Sequence, residues 1–259
     1  MEEIRAPTAP ARAPTAPARG HPARGIIVAI DGPSGSGKST VAREVARRLR
    51  LRYLDTGAMY RAVTWHALEW RADLDDPAAL GELAVGVSLQ ISTDPGDFWI
   101  VVEGRDATEA IRTRPVTNAV SVVSAVQAVR HRLLRLQRDL IGAGSIVVEG
   151  RDIGTVVAPD AHVKVFLTAS STARANRRSR ELDGPAESRA AAEAAMSQTR
   201  AEIDRRDKLD SSRAAGPLAK AADAVELDST AMTAEEVVDE VLRMCNEVTG
   251  SQALPVFGR

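Results

Sequence analysis

The residues whose types and spacing most clearly specify a chemistry form a glycine-rich loop that ends in a lysine and a hydroxyl. They fit the pattern G-x-x-x-x-G-K-[ST] and run Gly32, Pro33, Ser34, Gly35, Ser36, Gly37, Lys38, Ser39 and Thr40. The backbone N–H groups of such a loop, and the positive end of the helix after it, point at phosphate oxygens. The Lys38 side chain can reach β- and γ-phosphates, and the Ser39 hydroxyl can ligate Mg²⁺. The loop therefore predicts a nucleoside triphosphate site, but it does not say what receives a phosphate.

A second charged cluster follows a predicted buried strand at 145–148 and runs Glu149, Gly150, Arg151 and Asp152. Ligands of an open α/β sheet bind beyond the carboxyl ends of its strands. We therefore expect Glu149 to face the loop and to hold Mg²⁺ or its waters, and Arg151 and Asp152 to lie in the crevice. The same six letters, Val-Val-Glu-Gly-Arg-Asp, also occur at 101–106, where they lie in a turn-rich stretch in which this composition is ordinary.

Arginines are concentrated between positions 174 and 213, and phosphoryl transfer needs such positive charge. One group follows a predicted sheet strand at spacing i, i+3 and i+4, so a helical hairpin can close it over a bound nucleotide: Arg174, Arg177 and Arg178. A second group shares one helix face at spacing i, i+4 and i+7: Arg206, Asp210 and Arg213. For any single arginine, a solvated helix face with acidic partners is the alternative.

The elements that would position these residues alternate between buried strands and amphipathic helices. Hydrophobic runs predict five buried strands, at 25–30, 53–55, 145–148, 163–167 and 224–227. Helices are predicted at 38–50, 56–69, 75–84 and 122–140, and a helical stretch at 171–205 is interrupted at 183–185 by Asp-Gly-Pro. A capping box of Thr233 and Glu236 begins a last helix. The helix at 122–140 rests on an apolar stripe of Val122, Val126, Val129, Leu133, Leu136 and Leu140. This order predicts a parallel, doubly wound sheet with a hairpin-rich insert at about 86–110.

Composition narrows the function classes. The net charge is −1 and the pI is about 6.5, which argues against a general nucleic-acid or membrane-surface binder. The single cysteine, Cys245, excludes an intrachain disulfide and favours a reducing compartment, so a cytoplasmic location is expected. Residues 1–24 repeat an Ala-Pro-Thr-Ala-Pro-Ala-Arg unit and are predicted to be disordered, with a proline-rich docking tail as the alternative.

Together with the loop, four segments resemble the bacterial cytidylate kinase family: 54–61, 150–157, the Arg206 to Arg213 group, and 227–230. The resemblance is collinear over about residues 25–247. It implies an α/β fold of the P-loop NTPase type, with a five-stranded parallel sheet flanked by helices. It also implies one domain at 25–249, with the insert at about 86–110 on the acceptor side and an arginine-rich helical lid at about 172–205. Residues 1–24 and 250–259 would be tails.

The same resemblance implies transfer of the ATP γ-phosphate to CMP or dCMP with Mg²⁺. The implied catalytic residues are Lys38, Arg151, Arg174 and Arg178, and the implied metal residues are Ser39 and Glu149. The implied CMP residues are Thr56, Arg61, Ser121, Arg130, Arg151, Asp152, Arg206, Asp210 and Arg213. The expected partners are ATP and CMP or dCMP, without nucleic acid or membrane, and the expected state is a monomer.

Two alternatives stay open at this point. One is another nucleotide or small-molecule kinase of the same architecture, acting on UMP, AMP or shikimate, which Thr56, Arg130 and Asp152 would discriminate. The other is a protein that binds nucleotide without turnover. One departure from the family also matters: some relatives have Asp where this chain has Glu149, so both a direct and a water-mediated metal contact are possible.

Overall fold

The computed structural model describes residues 25–182 and 189–250. The predicted tail at 1–24, nearly all of that at 250–259 and the middle of the predicted lid at 183–188 lie outside the described residues. The strands are β1 Ile27–Asp31, β2 Arg52–Asp55, β3 Leu89–Ile91, β4 Ile100–Val102, β5 Arg105–Asp106, β6 Ile146–Gly150, β7 Val163–Thr168 and β8 Val225–Asp228. The helices are α1 Lys38–Leu49, α2 Thr56–Glu69, α3 Pro77–Gly86, α4 Arg114–Ala125, α5 Gln127–Ile141, α6 Ser171–Leu182, α7 Arg189–Ser212 and α8 Ala234–Thr249.

The larger of two compact units comprises the described residues of 18–56 and 136–259 and holds the main sheet. Its strand order is β2-β6-β1-β7-β8, and every pair is parallel. This confirms the predicted five-stranded sheet. The register sets Asp31 beside Gly150 and Asp55 beside Glu149, so the carboxyl ends of three strands meet at one edge.

The core of this unit forms where α1 and α8 cover the sheet. Val45 of α1, Ile30 of β1, Val165 of β7 and Val241 of α8 belong to one buried cluster. The predicted capping box begins α8: the Thr233 hydroxyl accepts from the Glu236 amide, and the Glu236 carboxylate accepts from the Thr233 amide. The prediction that all five strands are buried is wrong for β8: Val225 is 49% exposed, and Leu227 is the residue of this edge strand that packs against the buried cluster.

The smaller unit, Gly57–Arg135, contains the predicted hairpins. Strands β3, β4 and β5 form an antiparallel sheet in which Leu89 lies opposite Val102. Helix α3 begins at Pro77, two residues after the predicted start, and Asp76 caps it because its carboxylate accepts from the amides of Ala78 and Ala79.

The predicted single helix at 122–140 is wrong. Two helices, α4 and α5, occupy this stretch, and Val126 between them has extended backbone with φ −69° and ψ 120°. The break shifts the helical phase, so Val123 is buried while Val122 is 42% exposed. The sequence carries no glycine or proline at this break, and apolar spacing alone runs through it unchanged. In the part of the chain described, no helix combines the length and apolar content needed to cross a membrane.

Candidate active site

The phosphate loop joins β1 to α1 and owes its path to three glycines with positive φ: Gly32 at 148°, Gly35 at 74° and Gly37 at 91°. A Cβ on Gly32 would lie 2.1 Å from the carbonyl oxygen of Leu167, so no other residue fits there without displacing β7. Gly37 lies at the N-terminus of α1 in left-handed conformation, and among the described residues no side chain caps this helix. The first amides of α1 are therefore available to an anion.

Four cationic side chains hold the carbonyl groups of this loop. Arg151 Nη1 donates to the Gly32 oxygen at 2.8 Å, and Lys38 Nζ to that of Pro33 at 2.7 Å. The two remaining bonds come from the start of α6 at 3.1 Å each, and they run from Arg174 to Ser34 and from Arg177 to Ser36. In a trans peptide the N–H points opposite to the C=O. Holding the Ser34 and Ser36 oxygens therefore turns the following amides, those of Gly35 and Gly37, the other way.

Arg174 and Asp207 both form hydrogen bonds with the backbone of Ser34. The Ser34 amide donates to Asp207 Oδ1 at 3.1 Å, and Arg174, which donates to the Ser34 oxygen, also pairs with Asp207. Arg174 is buried. The predicted lid arginine thus lies against the loop itself, while Arg178 is half-buried on the same helix.

Glu149 lies next to the loop, as predicted from its place at the carboxyl end of a buried strand, and β6 extends through it to Gly150. Its Oε2 accepts from the Ser39 hydroxyl at 3.0 Å, and its Oε1 accepts from the hydroxyl of Tyr53. Burial, then the charge of Asp55, raises the pKa of the Glu149 carboxyl, against the opposing effect of Lys38. Burial also lowers the pKa of Lys38, and the charge of Arg151 adds to that effect. The site therefore disfavours the charged forms of both Glu149 and Lys38 until a ligand enters.

Arg151 connects the loop to the arginine face that the sequence predicts at the end of α7. Its Nε donates to Asp210 Oδ2 at 2.9 Å, and Arg213 Nη1 lies 3.8 Å from Asp210 Oδ1. Burial opposes ionisation of Asp210, but the charges of Arg151, Arg213 and Arg206 prevail and lower its pKa. The structure thus brings these four residues together, although Arg213 lies one residue beyond the helix.

A π-helix at Ile153–Val157 follows the Arg151-Asp152 pair. Asp31, the last residue of β1, accepts from the first two amides of this helix, those of Ile153 and Gly154, at 2.8 Å each. Burial raises the pKa of Asp31 to about 6 in spite of these two bonds. Asp152 is buried directly before the π-helix. The Thr56 hydroxyl donates to the backbone carbonyl oxygen of Glu149 at 2.7 Å. The start of the π-helix is therefore held by the last residue of β1.

Arg61, Ser121 and Arg130 belong to the smaller unit. Arg130 is buried, its guanidinium lies 5.6 Å from the ring centre of Tyr60, and it donates to the Ser124 oxygen at 3.4 Å. Ser121 is buried on α4, and Arg61 is half-buried on α2. The CMP roles of these three residues stay predictions.

Sequence reasoning assigned no role to several residues that hold this site together: Asp31, Tyr53, Asp207 and Ser229. One signal was available for Asp31, because a carboxylate that ends an apolar strand just before a phosphate loop lies at the ligand-binding edge. Asp207 and Ser229 lie in segments that carry the family resemblance, but the contacts of both, and of Tyr53, are with partners 96 to 193 residues away along the chain.

Comparison with known proteins gives one consistent result. The family model described as cytidylate kinase matches residues 28–247. A cytidylate kinase of Rhodococcus jostii is 50% identical over 227 residues, 87% of this chain and 97% of the relative. That of Streptomyces coelicolor is 49% identical over 249 residues, 95% of this chain and 98% of the relative. That of Geobacillus kaustophilus is 44% identical over 230 residues, 88% of this chain and 99% of the relative.

Proposed function

Because the chain belongs to the cytidylate kinase family, we infer that it transfers the γ-phosphate of ATP to CMP or dCMP, giving ADP and CDP or dCDP. The observation that carries this inference is the pair of bonds made by Arg151. Its Nη1 donates to the Gly32 oxygen of the phosphate loop, and its Nε donates to Asp210 Oδ2. The loop proposed for ATP and a residue proposed for CMP therefore belong to one hydrogen-bonded cluster. An arginine in this position can neutralise charge on both phosphates.

The donor phosphates would lie on the amides of Gly35, Gly37 and the first turn of α1. Lys38 would exchange the Pro33 oxygen, 2.7 Å away, for phosphate oxygens. Its lowered pKa supports this role, because a buried ammonium beside Arg151 gains more from an anion than an exposed one does. Arg178 is proposed to contact the ATP phosphates when the lid closes. Arg174, which donates to the Ser34 oxygen, is proposed as the second catalytic arginine of the lid.

Ser39 and Glu149 are the residues that would hold Mg²⁺. The Ser39 hydroxyl oxygen and Glu149 Oε2 lie 3.0 Å apart at the edge of the loop. Mg²⁺ that is bound together with nucleotide phosphates takes oxygen ligands and needs only one or two of them from the protein. When bound, the ion neutralises charge that develops on the transferring phosphate. Tyr53 holds the other oxygen of Glu149 and so orients it toward Ser39.

The acceptor would be bound by charge at its phosphate and by hydrogen bonds at its base. Arg151 and Arg213 are proposed for the CMP phosphate, with Arg61, and Arg206 and Asp210 for the ribose, with Ser121. Asp152 is proposed to accept from the cytosine N4 amino group, and Thr56 and Arg130 are proposed to recognise the same base. Uracil carries a carbonyl at that position, which would leave the carboxylate unpaired and repelled, so UMP should be a poor substrate. The acceptor phosphate is already ionised, so the reaction needs positioning and no general base.

We further propose that the protein works in the cytoplasm as a monomer, without a nucleic-acid or membrane partner. The near-neutral charge supports the absence of a nucleic-acid or membrane partner, and the single cysteine supports the cytoplasm.

The test is ADP release from Mg-ATP by the full chain, with CMP, dCMP, UMP, AMP and GMP as separate acceptors. Fast turnover with CMP and dCMP alone is the expected result. Equal rates with CMP and UMP would retain the kinase and refute base recognition by Asp152. ATP binding without turnover on any acceptor would favour the alternative of a nucleotide-binding protein that is not an enzyme.

A further inference from the structure

The segment at 227–230, Leu-Asp-Ser-Thr, has no part in the transfer as described above, although it carries part of the family resemblance. Its first two residues end β8, whose register sets Asp228 beside Thr168 at the end of β7. We call residues 228–230 the Ser229 turn.

The Ser229 turn is fixed to its surroundings by its own hydrogen bonds. Both the amide and the hydroxyl of Thr230 donate to Asp228 Oδ1, and the Thr230 hydroxyl accepts from the Ser170 amide at 2.8 Å, next to the start of α6. The Ser229 amide and hydroxyl both donate to the Thr168 oxygen at 2.9 Å. Ser229 is only 1% exposed, whereas Asp228 and Thr230 on either side of it are exposed, so the turn places a buried serine between two surface residues.

Arg177 connects this turn to the phosphate loop. Its Nη2 donates to the Ser229 oxygen at 2.7 Å, and its Nη1 lies 2.9 Å from the Ser229 hydroxyl and 3.1 Å from the Ser36 oxygen. The planar fork of a guanidinium can serve these acceptors together, whereas a lysine ammonium on a flexible stem cannot match the geometry.

The bond to Ser36 bears on the phosphates through one peptide group. The Ser36 oxygen and the Gly37 N–H belong to the same trans peptide and point in opposite directions. Gly37 has a φ of 91° and no side chain, so its amide direction depends on what holds the neighbouring carbonyl. Arg177 holds it from the side away from the anion site.

We propose that Arg177 and Ser229 are positioning residues that aim the Gly37 amide at the phosphates of the donor nucleotide. Neither residue needs to touch the nucleotide for this. The inference rests on the proposed function only for the identity of that nucleotide as ATP.

The decisive variant is Ser229→Ala, because it alters the turn and leaves every loop residue and cation in place. We expect it to weaken ATP binding, measured by titration calorimetry without acceptor, by roughly 3- to 10-fold, as loss of one charge-assisted hydrogen bond implies. Arg177→Met should weaken it by roughly 10-fold or more, and Arg177→Lys should fall between Met and wild type. The KM for CMP should stay within about twofold in all three variants, since acceptor residues are unaltered.

Matched controls are Ser212→Ala, whose hydroxyl bonds, within the described residues, to the Leu209 oxygen of its own helix, and Arg243→Met, which removes surface ion pairs on α8. Neither should change ATP affinity. The double variant Arg177→Met with Ser229→Ala should bind ATP no more weakly than Arg177→Met alone, because both changes disrupt the same set of contacts among Ser229, Arg177 and Ser36.

Normal ATP affinity in Ser229→Ala, combined with a loss in Arg177→Met, would overturn the role proposed for Ser229, since its hydroxyl would then contribute nothing to the direction of the Gly37 amide. Additive losses in the double variant would also overturn it. Because ATP binding is measured without acceptor, failure of CMP phosphorylation would refute the proposed function and leave this inference standing.

Discussion

Asp31 offers a test of what burial does to a carboxylate that already has two hydrogen bonds. It lies at the end of β1, accepts from the amides of Ile153 and Gly154, and is 4% exposed. Burial and the charge of Asp152 oppose ionisation, whereas the two amides and the charge of Lys38 favour it. Burial prevails and raises the pKa from 3.8 to about 6. Asp31→Asn removes the titration and nearly preserves the shape of the side chain.

The raised pKa fixes the sign of the effect. The native state binds the Asp31 proton more tightly than the unfolded state does, so its stability contribution is complete below pH 3.8 and is lost as the pH rises through about 6. The full loss corresponds to about 3 kcal/mol, and roughly half of it, about 1.5 kcal/mol, falls between pH 5 and 7.5. The amide side chain of the variant does not titrate. Relative to wild type, Asp31→Asn should therefore gain about 1.5 kcal/mol of unfolding free energy over that interval, on top of a constant penalty for one poorly paired amide.

The assay is urea unfolding of both proteins, followed by circular dichroism at four pH values between 5 and 7.5. Carboxyl groups common to the two proteins cancel in the difference. Asp223→Asn is the control: the hydrogen bond from Lys164 lowers the pKa of Asp223, so its titration lies below pH 3.8 and its difference should be flat in this range. A flat or falling difference for Asp31→Asn would refute the reasoning, because the two amides would then outweigh burial.

Three further predictions address catalysis, specificity and the core. Lys38→Met should abolish phosphoryl transfer while circular dichroism and thermal unfolding stay native-like, since it replaces a buried charge of lowered pKa with an apolar chain of similar length; wild-type turnover would remove Lys38 from the mechanism. Asp152→Ala should lower both the rate with CMP and the ratio of CMP to UMP rates, and an unchanged ratio would show that the base is recognised elsewhere. Cys245 is buried in the α1–α8 core and burial raises its pKa to about 12, so a disulfide reagent at pH 8 should label it only as fast as the chain unfolds; rapid labelling in native buffer would contradict the packing.

Local signals in the sequence were sufficient for the elements that depend on neighbouring residues. The phosphate loop, the Asp76 start of α3, the capping box of α8 and the buried strands all rest on contacts within a few residues or on hydrophobic runs. For the same reason the position of Glu149 beside Ser39 was predictable, because strand ends of a parallel sheet meet at one edge.

The break at Val126 and the exposure of β8 were not predictable in this way. Apolar spacing records which residues can be buried, but helical phase and strand order decide which of them are. Val122 fits the stripe and is exposed, while Val123 lies outside it and is buried.

The partners of the charged residues were decided by tertiary structure alone. The sequence placed Arg174 and Arg177 on one helix face, and a helix face specifies a direction but no acceptor. Their acceptors are carbonyl groups of the loop, 140 and 141 residues earlier in the chain. Every residue has a backbone carbonyl, so residue types do not identify which carbonyl will accept a hydrogen bond. Which of them an arginine meets is therefore determined only when the sheet brings distant strand ends together.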